Sequence, residues 1–60
     1  MFIEIETVKG EKVFLNVKHI LFVTQYKNGT VVFDELGNDY RVDEPYSCMC
    51  ERITELLKNR

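Results

Sequence analysis

Sixty residues with a formal charge of −2 and a pI near 5.2 read as a single small β-rich domain spanning residues 1–60. A domain this size buries only about 60% of the surface its unfolded chain exposes, so its stability margin is thin. The acidic balance argues against a dedicated nucleic-acid binder, and the well-mixed charges form no basic or acidic tail.

From Met1 to Val8, Ile3, Ile5 and Thr7 alternate with Glu4 and Glu6, which predicts a half-buried first strand over about 1–8. Lys9-Gly10-Glu11 reads as a turn with Gly10 free to take positive φ, and a short second strand follows over 12–15. Asn16-Val17-Lys18-His19 breaks the alternation and predicts one helical turn. Then comes a strongly written β-hairpin, with strands over 20–27 and 30–36 joined at Asn28-Gly29, a dipeptide that favours a type I′ turn. Gly37-Asn38 marks another tight turn, and 39–42 forms a fifth strand.

The hairpin does not alternate cleanly. Ile20, Leu21, Phe22 and Val23 are all apolar, and successive strand side chains point to opposite faces, so apolar groups are expected on both. One small helix can cover only one face of a sheet. The surplus points to a partner.

After Val42 the period changes. Asp43-Glu44-Pro45 is a helix-start signature, and Tyr46, Met49, Cys50, Ile53, Leu56 and Leu57 then fall on one helical stripe, predicting a helix over about 44–58. Lys58 and Arg60 lie where cations suit the helix dipole. The expected fold is α+β, mainly β: a five-stranded antiparallel meander, strongly bent or small-barrel-like, with one C-terminal helix.

Few residues suggest chemistry. Cys48 and Cys50 lie two apart on the predicted helix and diverge by about 200°, so they do not share an ion or pair with each other. Neither a metal site nor any other cofactor is expected. Glu4 and Glu6 share a strand face and read as solvated charge rather than an acid–base pair. The single histidine, His19, has no serine or cysteine nucleophile beside it in sequence. Asn28-Gly29-Thr30 matches a glycosylation sequon, but the turn explains the same residues. No catalytic motif is present, and a non-enzymatic role is expected. The start has no basic n-region and no apolar run nears the roughly 20 residues of a membrane helix, so a cytoplasmic protein without membrane insertion is expected.

The apolar surplus singles out Phe2, Phe14, Leu21, Val23 and Val32 as interface candidates for a homo-oligomer or a protein partner. The alternative is a small nucleic-acid-binding regulator using Lys12, Lys27 and Arg41 beside strand aromatics, a combination seen in single-strand binders. Against it, Glu4, Glu6, Asp34, Glu35 and Asp39 would repel phosphates.

Gly10, Leu15-Asn16, Ile20, Gly37, Tyr40, Val42, Glu44 and Ile53 occur in an order that resembles the short bacterial flagellar FlbD-like proteins, across most of the chain. The resemblance implies a bacterial accessory role in flagellar function and carries over no enzymatic residues. Pro45 and Cys48-Met49-Cys50 depart from that pattern. The strand portion also looks like the sheet half of LytTR-type DNA-binding domains, but no counterpart of their basic recognition segment follows.

Overall fold

The computed structural model describes residues 1–58, and Arg60 lies outside them. The chain runs β1 (Phe2–Glu6), β2 (Lys12–Asn16), a 3-10 turn (Val17–His19), β3 (Ile20–Tyr26), β4 (Gly29–Asp34), β5 (Asp39–Val42) and α1 (Tyr46–Lys58). All strand pairs are antiparallel. The expected strands and helix are present, with every end within two residues of its expected position. The single curled meander is not. β1 and β2 form a two-stranded sheet, β3, β4 and β5 form a three-stranded one, and neither sheet is closed or curled.

The 3-10 turn accounts for the split. The Asn16 side chain caps it by accepting the Lys18 N–H at 3.1 Å, and its Val17 N–H donates to the Met1 carbonyl at 2.9 Å. The turn ends β2 before β3 begins, so the two strands do not pair. The sheets touch at one corner, where Thr7 bridges Val42 and the Val8 N–H donates to the Arg41 carbonyl at 2.8 Å.

Alternation decides the inner faces. Ile3, Ile5 and Leu15 point inward from the first sheet, Val17 from the turn, Val32 and Val42 from the second sheet, and Met49 from the helix. Met49 and Val32 are wholly inaccessible. Burying a side chain of that size is worth about 1.5–3 kcal/mol. The helix lies against β3 and β4. Only Met49 is fully buried on it, with Cys50, Ile53 and Leu56 half-buried and Tyr46 and Leu57 exposed, so the packed stripe is narrower than its sequence spacing suggests.

Two backbone details depart from expectation. The tight turn between β3 and β4 is centred on Lys27-Asn28, with Gly29 opening β4 opposite Tyr26. Positive φ falls on Lys27 (54°) and not on Asn28 or Gly29, so the expected type I′ Asn-Gly turn is not formed. Gly29 is required for a different reason: a Cβ there would overlap the Val42 carbonyl oxygen where β5 crosses. Gly10, by contrast, does take the positive φ expected of it, at 89°.

The second detail resolves the apolar run at 20–23. Ile20 pairs with Asp34 but Phe22 pairs with Phe33, leaving Leu21 as the extra residue of a bulge. Ile20 and Val23 therefore both pack on the core, while Leu21 and Phe22 are exposed.

Candidate protein-interaction surface

The outer face of the three-stranded sheet is built from Phe22, Thr24 and Tyr26 of β3, Val31 and Phe33 of β4, and Asp39 and Arg41 of β5, which register places side by side. Phe22 and Phe33, directly paired across strands, bring their ring centroids to 4.6 Å. The Arg41 guanidinium lies 5.2 Å from the centre of the Tyr26 ring and the Lys27 ammonium 5.4 Å from it. Both distances fall within cation–π range. Half of Phe22 (49%) and nearly half of Tyr26 (45%) remain open to solvent, and Leu21 is 62% exposed beside them.

The hairpin of β1 and β2 carries a second patch. Phe2 and Phe14 sit diagonally across the pair and stack with centroids 4.9 Å apart, and Phe14 is 71% exposed. Glu4, Glu6 and Lys12 share this outer face, with Lys12 directly opposite Glu6. The paired carboxylates are thus solvated neighbours of an aromatic stack. Arg52 reaches from the helix to donate to the Glu4 carbonyl at 3.0 Å and pairs with the Glu44 carboxylate at 3.0 Å. Between α1 and β1 lies an apolar groove of about 460 Å³ floored by Phe2, Ile3 and Leu56.

The sequence-derived candidates therefore separate into groups. Phe2, Phe14 and Leu21 are exposed, whereas Val32 is fully buried and Val23 packs against the core. Those two face inward, so the protomer's outer surface does not include them. For Val23 the bulge at Leu21 is the physical reason, because it returns Val23 to the inner face that strict alternation gives to Ile20; Val32, its cross-strand partner on β4, shares that face. Among the basic candidates, Lys27 and Arg41 meet at Tyr26, while Lys12 belongs to the other sheet.

Asp34, one of the acids expected to repel phosphates, is 95% buried. Its carboxylate accepts from the Leu36 N–H (3.0 Å), the Asn38 N–H (2.9 Å), the Asn38 side-chain amide (3.2 Å) and the Tyr40 hydroxyl (3.2 Å). Burial pushes its carboxyl up, but those donors together outweigh burial and hold it below the usual aspartate value. Burial and then the same carboxylate push the Tyr40 hydroxyl up. The hub closes the β4–β5 turn. The spacing Asp34…Leu36…Asn38 was the available signal, since aspartate bonds to backbone N–H groups two residues on. Just beside it, His19 Nδ1 and Glu35 Oε2 pair at 2.8 Å, both about half-exposed.

Among the described residues, no group of three or more His, Cys, Asp or Glu is placed to hold a metal ion, and no buried side-chain N or O lacks a partner. Cys48 is exposed and Cys50 half-buried, both as free thiols. The chain matches no family model, no curated protein and no solved structure.

Proposed function

We propose that this protein is a non-enzymatic interaction or assembly module that self-associates through an apolar sheet face. One observation carries the proposal: the outer faces of both sheets present aromatic pairs, Phe2–Phe14 and Phe22–Phe33, and four exposed large apolar residues, Phe2, Phe14, Leu21 and Phe22, lie on or beside them. The helix is committed to the opposite side, against the core. Exposed apolar clusters of this kind mark contact sites on small proteins. A typical interface removes about 800 Å² per partner, close to a fifth of this protomer's 4399 Å² surface. That burial would offset the thin margin of a 60-residue core. Sedimentation at micromolar concentration is the test. An assembly of twice 7.1 kDa or more is expected, and a clean monomer refutes self-association.

The alternative is a nucleic-acid-binding regulator, favoured by the two cations placed over the Tyr26 ring. Against it stand the net charge of −2 and the separation of Lys12 from the cluster. Binding of mixed single- and double-stranded oligonucleotides at low salt decides it, because phosphate contacts are strongest there. The resemblance to FlbD-like proteins would place either version in a bacterial, flagellar setting; deletion of the gene with a motility readout addresses that setting.

A further inference from the structure

We infer that the partner is a second copy of this chain, joined edge to edge through antiparallel pairing of β3 with its symmetry mate about a two-fold axis at Thr24. The inference rests on the self-association proposed above but places the contact at the β3 edge of the three-stranded sheet, beside its aromatic face, and not on that face.

β3 is an outer strand of its sheet, with β4 on one side only. The two-residue loop makes Tyr26 and Gly29 the closing, hydrogen-bonded pair. Alternation then turns the main-chain groups of Phe22, Thr24 and Tyr26 toward β4 and those of Val23 and Gln25 outward. Those outward groups form a short template for another strand.

The usual devices that blunt such an edge are scarce here. From Ile20 to Tyr26 the strand has no charged residue and no proline. Its one protective feature is the Leu21 bulge, which confines regular pairing to Phe22–Tyr26. Three of the nine large apolar residues exposed among the described residues, Leu21, Phe22 and Tyr26, lie on this seven-residue strand.

A second copy fits the edge better than an arbitrary strand does. With Thr24 facing Thr24, Val23 of each chain meets Gln25 of the other, so the outward donors and acceptors satisfy one another reciprocally. On the same outer face, Phe22 of each copy meets Tyr26 of the other, giving two equivalent aromatic cross-strand pairs. No like charges meet within the paired segment. Lys27 of each copy lies opposite Leu21 of the other, just beyond the paired segment, so no charge is set against a like charge there. The product is a continuous six-stranded sheet whose outer faces merge into one aromatic surface.

Two variants test this at the exposed Thr24. Thr24→Lys places like charges opposite each other on the axis and should weaken dimerisation about tenfold in sedimentation. Thr24→Cys, combined with Cys48→Ser and Cys50→Ala, should form a covalent dimer of about twice 7.1 kDa when oxidised glutathione accepts the two electrons of the joined thiols. Phe14→Cys in the same background should not cross-link. A wild-type dimer that Thr24→Lys leaves intact and Thr24→Cys does not cross-link overturns the β3 edge while sparing self-association. A wild-type monomer at 100 µM overturns both.

Discussion

Replacing Gly29 separates two reasons for a glycine. If Gly29 served a turn needing positive φ, asparagine would substitute well, because its short polar side chain tolerates the left-handed region. Gly29 does not take positive φ; its hydrogen faces the Val42 carbonyl so closely that any Cβ must displace β5. Overpacking of this kind costs about 1–3 kcal/mol. At about 0.05–0.15 kcal/mol per residue the whole domain has roughly 3–9 kcal/mol to lose. Each kcal/mol shifts the midpoint by about 4–8 °C in a domain of this size, so Gly29→Ala and Gly29→Asn should both melt about 5–20 °C below wild type. Gly37 is the control. It does take positive φ, at 89°, and a Cβ there meets nothing within 4 Å, so Gly37→Asn should cost only a few degrees. Thermal unfolding followed by circular dichroism reads all three. A Gly29→Asn variant as stable as Gly37→Asn would show that β5 does not crowd that position.

Met49→Ala removes a fully buried side chain and should cost about 2–5 kcal/mol in urea unfolding, enough to leave much of the protein unfolded; Ile53→Ala, half-buried, should fall at or below the bottom of that range. Asp34, whose carboxyl is held below its ordinary value, contributes stability that is fully present above the unfolded-state value of about 3.9 and is lost as pH falls through the lower folded value. Melts from pH 7 to pH 2.5 should therefore show a shallower acid decline for Asp34→Asn than for wild type, and parallel declines would contradict the hub. Glu35→Ala breaks only an exposed pair with His19 and should change stability by less than about 1 kcal/mol.

The β1 alternation, the Asn16 turn and the helix stripe could be read from sequence because each depends on neighbours within a few positions. What escaped depends on distant chain. Gly29 looks like a turn residue until β5 is laid beside it. The run Ile20 to Val23 reads as apolar on both faces, which is correct in sum, but the Leu21 bulge decides which members point out. Without it the register that sends Val23 inward is not legible, and Val32 on the central strand is buried for the same reason, as Val23's cross-strand partner. Asp34 is the exception, since its donors lie only two to six residues on and the local spacing carried the signal. The two-sheet division was hidden because nothing local distinguishes a capped turn that separates sheets from one that lets them curl together.

The distribution of the seven buried apolar side chains that make up the core cluster has a consequence for how the chain behaves under stress. Four of them, Ile3, Ile5, Leu15 and Val17, precede β3, and the other three, Val32, Val42 and Met49, follow it. Cutting the backbone between the 3-10 turn and Ile20 would therefore leave two peptides, each with half an interior and neither expected to hold a shape by itself. Mixed together, they should reconstitute the native spectrum, and the intact chain should unravel in one step rather than shedding its hairpin first.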